Sequence, residues 1–430
     1  MAGNVQEQAM LRPAGYAALV DMYDIDVIPN WHKSLVTTRG SHQTSSTGGV
    51  IEEVYPFKYW PGDTPGDHLE FALKYDGTNL SILARLFQKV PPEDFLSHVR
   101  SKPTGKYARR LWFLYEFLTG TILQMDDVKQ GNYIDLIDPD QYYTVTPARQ
   151  IRRQRINDNL LGDGRFCPMI RRTDTLQGFE AADLPERCRR VVSGYSPELL
   201  NRALMYLYSK ETKSSFGIEH IKPNPTRTER FVALLQLAEQ EDFCGKSRLI
   251  DLQNRIVDAR FRDPGYRLTQ NYIGETVAWQ KERIHFACPR PEDLAGLMDG
   301  LIAAHERMEA GDVPAVIHAA AIAYGFVFLH PFEDGNGRIH RFLIHNILAR
   351  RGFTPKGLMF PISASMLKNP ADYDASLEAF SRPLMPLVEY SIDEEGRMIV
   401  HNDTAIWYRY IDMTLQAEAL FRFIEKTIDT

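Results

Sequence analysis

Apolar and polar positions repeat with a helical period over most of the second half of the chain and with a strand period only in short runs. Residues 313–329, rich in Ala, Ile, Phe and Val, are apolar on every side, the pattern of a helix buried all round. The run stops at His330-Pro331, because proline has no amide donor and its ring clashes with the preceding turn. A second run, 341–350, is broken by Gly352. The spacing therefore predicts a buried helix ending near His330, a sharp turn, and a helix restarting near Gly337. Upstream, Ser196-Pro197-Glu198 reads as a cap with proline at the first helical position, leading into a helix over 199–208. Helical spacing also marks 226–237, 245–258, 80–90 and 107–118, the last closed by Gly120. Residues 407–428 are amphipathic, with Ile411, Leu415, Ala419, Leu420 and Ile424 on one side.

Strand patterns are few. Residues 132–137 and 141–145 alternate about Asp138-Pro139-Asp140 and predict a small hairpin. Extended runs at 266–274 and 284–287 predict a second hairpin between Arg267 and Phe286. The Ser/Thr/Gly-rich stretch 37–49 has no apolar period and predicts a flexible loop. Arg149, Arg152, Arg153 and Arg155 form a basic cluster, read either as one solvated helix face or as a contact for a partner or nucleic acid. The fold class expected is mainly α. The domains expected are an accessory region over 1–190, a helical core over 191–390 and a helical extension over 391–430.

Composition narrows the function classes. The 430 residues suffice for two or three domains, and 44% hydrophobic with 25% charged residues is ordinary for a globular protein. A net charge of −6 argues against a surface that coats nucleic acid or an anionic membrane. No run approaches the roughly 20 apolar residues of a membrane span, and residues 1–18 lack the basic start and apolar core of a secretory signal. Cys167, Cys188, Cys244 and Cys288 lack CxxC spacing, which predicts reduced structural thiols of a cytoplasmic protein, not a zinc site or a disulfide framework.

The chemistry is concentrated in His330-Pro331-Phe332-Glu333-Asp334-Gly335-Asn336-Gly337-Arg338-Ile339-His340-Arg341. Gly335 and Gly337 permit backbone angles that other residues resist. The amides of 334–338 can then face one concavity at a helix N-terminus, a ready anion site. Arg338 and Arg341, three apart, project from one side of that helix. A Gly/Asn/Asp loop of this composition is also what an ordinary turn between helices looks like.

The order of residues here resembles the signature of the Fic family: His-Pro-Phe, any residue, Asp or Glu, then Gly-Asn-Gly-Arg, two residues and Arg. Every defined position is filled, and the resemblance extends over about 196–390. It implies a Fic-type helical core with a short β-hairpin flap, and an adenylyltransferase: ATP is the donor, and a Ser, Thr or Tyr hydroxyl of a target protein attacks the α-phosphorus. On that reading His330 is the base that takes the hydroxyl proton, and Asp334 is a hard oxygen ligand for Mg²⁺. The amides of Gly335, Asn336 and Gly337, the Asn336 side chain, Arg338 and Arg341 hold the phosphates of ATP. Phe332 is an apolar anchor, Glu333 fills the variable position and points elsewhere, and His340 and His345 are structural. Ser215 and Glu219 resemble the family's inhibitory motif placed ahead of the core, with His220 departing from its usual last residue. The resemblance implies that Glu219 pairs with Arg341, with Ser215 bracing the Glu219 turn. It also implies that Gln270, Asn271, Tyr272, Ile273 and Gly274 belong to the flap that holds the target by main-chain pairing, and that residues 358–361 and 373–390 complete the C-terminal helices. Gly337 argues against the branch that transfers a phosphate, which carries Lys there. Competing readings are removal of AMP with Glu219 activating water, transfer of another group by the same site, or a regulatory or DNA-associated module with a silent core. Expected partners are ATP and a hydroxyl-bearing protein, this chain itself and a homodimer included, with neither nucleic acid nor membrane.

Overall fold

The computed structural model describes residues 11–278 and 281–429, which form two compact units: one of residues up to 137 together with 148–159, the other of 138–147 together with 160 onward.

The first unit opens with β1 (Leu11–Ala14), α1 (Gly15–Tyr23), β2 (His32–Thr37), β3 (Gln43–Thr47) and β4 (Val50–Pro56), a sheet of order β1-β2-β4-β3 in which β2 and β4 run parallel. The stretch expected as a flexible loop is thus the β3–β4 hairpin. The polar residues of β3 are all exposed, so no apolar period was required of them. Four helices follow: α2 (Pro65–Phe71), α3 (Leu80–Lys89), α4 (Pro92–Ser101) and α5 (Lys106–Thr119). Leu83, Leu86, Val99, Leu111, Trp112 and Leu114 form their buried interior. Gly120, at φ 70°, closes α5 as expected.

β5 (Ile134–Asp135), β6 (Arg149–Ile151) and β7 (Ile156–Asp158) complete this unit, in the order β5-β7-β6. That corrects two expectations. The 132–137 run pairs with the distant β7, in parallel, instead of with 141–145. The arginine cluster is a strand, a turn and a strand, not a helix face. Arg153 donates to the carbonyls of Leu123 and Met125 and pairs with Glu116 and Asp127. Arg155 donates to the carbonyls of Val128, Lys129 and Gly131.

In the second unit the helices are α6 (Asp174–Ala181), α7 (Leu184–Ser193), α8 (Pro197–Ile218), α9 (Pro225–Leu237) and α10 (Lys246–Ile256). The hairpin β8 (Tyr272–Ala278) and β9 (Lys281–Ala287) comes next. Then follow α11 (Pro291–Ala310), α12 (Ala315–Leu329), α13 (Asn336–Arg350), α14 (Ile362–Lys368) and α15 (Pro370–Leu384). The chain closes with a small ribbon, β10 (Tyr390–Ile392) and β11 (Met398–Val400), and with α16 (Ala405–Arg409) and α17 (Thr414–Ile428). The amphipathic C-terminal stretch is therefore two helices. Asp412 breaks it, its Oδ1 accepting from the amide and hydroxyl of Thr414. Leu415, assigned to the apolar side, is exposed, while Ala419, Leu420 and Ile424 are buried.

The core sits around α12, which is buried from Val316 to Leu329 and packs against α11, α13 and α17. α13 is as deeply enclosed although it carries Arg338, His340, Arg341, His345 and Asn346. Each needs a partner there, since an unpaired polar group in such a place is costly. His340 Nδ1 lies 2.8 Å from Ala323 O and His345 Nε2 lies 2.9 Å from Glu211, so both act structurally. The mainly helical fold expected from the periodicity is what forms. Among the described residues no helix is long and apolar enough to cross a membrane, and all four cysteines are buried thiols.

Candidate active site

α12 ends where the sequence says it must. His330 caps it in the left-handed region, φ 49° and ψ 57°, donating its amide to Phe326 O. Pro331 follows, and α13 restarts after Gly335, whose φ of 93° suits glycine. Phe332 is fully buried against Phe326 and Tyr266, the anchor expected. The Asn336 carboxamide, expected to face an anion, is turned into the loop instead. Its Oδ1 accepts from Phe332 N (3.0 Å) and its Nδ2 donates to Phe332 O (2.7 Å). The side chain shapes the turn, leaving only its amide, among the orphan donors of the first helical turn, for an anion.

His330 is half-buried, with Nδ1 3.1 Å from Val327 O. A carbonyl only accepts, so Nδ1 carries the proton and Nε2 presents a bare lone pair. Desolvation depresses the imidazole pKa to about 4, so the ring is neutral at pH 7. This is the protonation state and tautomer a general base needs.

Two arginines and two carboxylates meet beside the loop. Arg338 is fully buried, with Nη2 2.6 Å from Asp334 Oδ1 and Nε 2.7 Å from Glu219 Oε2. Arg341 Nη2 lies 2.6 Å from Glu219 Oε1, as the resemblance implies. Glu219 thus bridges both arginines rather than Arg341 alone. Ser215 does not brace the Glu219 turn as expected; it holds Arg341 directly, its hydroxyl accepting from Nε (3.0 Å) and its carbonyl from Nη2 (2.7 Å). Glu219 caps the C-terminus of α8, where a carboxylate opposes the helix dipole. The two guanidinium groups offset that penalty. Gly337 makes the approach possible: a Cβ there would lie 2.6 Å from Glu219 Oε1. The Glu219 carboxylate keeps 25% exposure, while the side chains of Arg338 and Arg341 are buried.

Asp334 is a partly exposed carboxylate at the mouth of the loop. A carboxylate is a hard oxygen donor of the kind Mg²⁺ takes together with phosphate oxygens and water. Glu333 points away from the loop and accepts from Thr269 Oγ1 (2.5 Å).

The hairpin stands beside this loop, and residues missed at the sequence level attach it. Arg267, 3% exposed, donates to His330 O (2.8 Å), Thr269 O (2.7 Å) and Pro289 O (2.7 Å), while its amide donates to Pro331 O. Gln253, fully buried, donates to Asp334 O (3.3 Å) and Asp263, and Asp263 accepts from Glu333 N (3.2 Å). Thr269 O and the Asp263 side chain lie nearby in sequence, but the carbonyls of His330, Pro331, Pro289 and Asp334 are backbone groups far along the chain, which no local spacing signals. Gln270 and Asn271 fasten the hairpin base to Cys288. Tyr272 donates to Gly396 O, and Ile273 and Gly274 are exposed. The register shifts between Ile273 and Gly274, and a Cβ at 274 would meet Arg283 O at 2.8 Å.

Comparison with known proteins finds that residues 243–348, which carry the loop and most of the hairpin and helices around it, match the Fic/DOC family. Relatives named protein adenylyltransferase Fic are 33% identical over 260 residues in Drosophila mojavensis, covering 54% of this chain and 49% of the relative. The Nematostella vectensis relative is 36% identical over 99 residues, 22% of this chain and 20% of its own length. The Caenorhabditis elegans relative, protein adenylyltransferase fic-1, is 30% identical over 165 residues, 37% and 29% of the two chains. The chain thus spans at most about half the length of these relatives. A solved Fic family protein from Desulfovibrio desulfuricans G20 aligns with 17% identity and a TM-score of 0.43, covering 60% of this chain and 74% of its own.

Proposed function

We propose that this protein is an adenylyltransferase that moves AMP from ATP to a hydroxyl side chain of a protein. The observation that carries the proposal is the neutral His330, with Nε2 bare, on a glycine-turned loop that also presents helix-terminal amides and two buried arginines. The hydroxyl oxygen bonds to the α-phosphorus, the bond from that phosphorus to the bridging oxygen breaks, and pyrophosphate leaves. His330 Nε2 receives the hydroxyl proton as the oxygen attacks. The amides of 335–337 and Arg338 oppose the phosphate charge, and Arg341 holds the terminal phosphate. Asp334 would hold Mg²⁺, which would supply positive charge to the phosphates.

In this reading Glu219 restrains the enzyme. It occupies both arginines that the phosphates require, and its contact with Arg338, which the sequence did not suggest, makes the restraint stronger than a single pair. The hairpin edge at Ile273 and Gly274 offers main-chain groups to a target segment, a register that does not depend on target sequence. The arginines at 153 and 155 are engaged within their own unit, which leaves little support for a DNA-associated role. The test is incubation with labelled ATP and a cell lysate, followed by mass analysis of labelled proteins, the chain itself included. A gain of one AMP moiety supports the proposal; a gain of one phosphate, or none, refutes it.

A further inference from the structure

The loop between α9 and α10 brings two polar side chains against the outer end of α11. Asp242, Cys244 and His305 each offer a ligand atom, all within 4.8 Å of one another. Cys244 and His305 are buried, while Asp242 keeps its side chain 38% exposed and so leaves a route from solvent. The loop is fixed from below by Asn346, whose Nδ2 donates to Ala238 O and Glu241 O (2.7 Å each) and whose Oδ1 accepts from Phe243 N.

A second observation points to a ligand. His305 is 2% exposed, and its Nε2 has no hydrogen-bond partner although it lies 3.3 Å from Asp242 Oδ1 and 3.6 Å from Glu309 Oε2. Its other nitrogen, Nδ1, lies 3.0 Å from His318 Nε2, and His318 is fully buried. With the shared proton on His305 Nδ1, His305 Nε2 directs a lone pair into the cluster. An outer hydrogen bond that fixes tautomer and ring plane in this way is typical of metal-bound histidines. Arg350 spans the two carboxylates, 3.0 Å from Asp242 and 2.5 Å from Glu309, and holds both in place.

We propose that Cys244, His305 and Asp242 form a structural site for Zn²⁺, with Glu309 or water as the fourth ligand. Thiolate, imidazole and carboxylate together suit a borderline-soft, four-coordinate ion rather than Mg²⁺. On binding, the Cys244 proton leaves to solvent and the sulfur bonds the metal. The thiolate, the two carboxylates, Arg350 and the divalent ion then balance to neutrality. The site lies at the far end of α13 from Arg338, roughly 18 Å along the helix. It stands apart from the transfer reaction and ties the α9–α10 loop to α11 and, through His318, to α12.

The test uses the full chain without an affinity tag, stripped with a chelator and titrated with Zn²⁺ and separately with Co²⁺. The expected result is one ion per chain and, with Co²⁺, a thiolate-to-cobalt charge-transfer band. The band should be lost in Cys244→Ser and His305→Gln and kept in Cys167→Ser, another buried thiol. His318→Ala should weaken Zn²⁺ about 10- to 100-fold, and excess Mg²⁺ should not compete. Failure to take up either ion, a cobalt complex without the thiolate band, or a band that survives Cys244→Ser would overturn the site. If Cys244→Ser or His305→Gln does not fold, the spectrum of the unaltered protein and that of Cys167→Ser still decide between these outcomes.

Discussion

His330 is asked for one property, a free lone pair at neutral pH, and two features of the loop supply it. Val327 O fixes the proton on Nδ1, and desolvation keeps Nε2 from taking another. His330→Ala should therefore lower transfer by about 10²- to 10⁴-fold while ATP affinity, measured by calorimetry, changes little. A matching loss of affinity would make His330 structural. The pH profile follows from the same shift. Because the folded-state pKa is lowered to about 4, kcat/KM, which reports the free enzyme, should keep its activity through pH 6 and fall only near pH 4. Between that value and the ordinary one near 6.5, the unfolded chain binds a proton that the folded chain does not. This group therefore adds stability that is fully present above the ordinary value and is lost as pH falls toward 4. His330→Ala should flatten that part of the stability profile, measured by denaturant titration at stepped pH.

At the scale of elements, the joint between loop and hairpin rests on Arg267 more than on the hairpin's own pairing. Arg267→Met retains much of the volume but leaves the carbonyls of His330, Thr269 and Pro289 without their donor. It should cost on the order of 3 kcal/mol, read from denaturant melting, and should lower transfer to a protein target more than self-consumption of ATP. Equal loss of both would mean that the loop, not the hairpin, had moved. This element also marks how far sequence pattern reaches. The end of α12, the restart at α13 and the hairpin were legible because proline, glycine and β-type residues act locally. Arg267, Gln253 and Asp263 were not, since the contacts that tie them to the loop are with main-chain groups of 330–334 reached only through the fold. The Asn336 carboxamide was misplaced for a related reason: its partner is the loop's own Phe332, and a loop sequence does not say which way a side chain turns.

For the whole molecule, legibility followed sequence separation. The helical unit could be read because helical periods are local. The first unit hid its architecture in pairings between distant strands, β2 with β4 and β5 with β7, and its arginines looked like a solvated helix face. Arg153→Ala should lower thermal stability through the loss of Glu116 and the carbonyl partners, with ATP-dependent labelling unchanged; a loss of DNA binding in place of stability would restore the discarded reading. Glu219 and Arg341 are 122 positions apart, and only the resemblance placed them together before the fold did. Their pairing also predicts a coupling across the molecule: Glu219→Gly leaves two buried cations short of a partner, so it should lower Tm, and ATP with Mg²⁺ should restore it. The most direct test of the whole account is labelling by ATP in four proteins side by side: unaltered, Glu219→Gly, Arg341→Ala and the double variant. Removal of Glu219 should raise AMP incorporation at least tenfold, Arg341→Ala should lower it, and the double variant should follow Arg341→Ala. If Glu219→Gly leaves incorporation unchanged or lowers it, Glu219 is not a restraint and the account of this site is wrong.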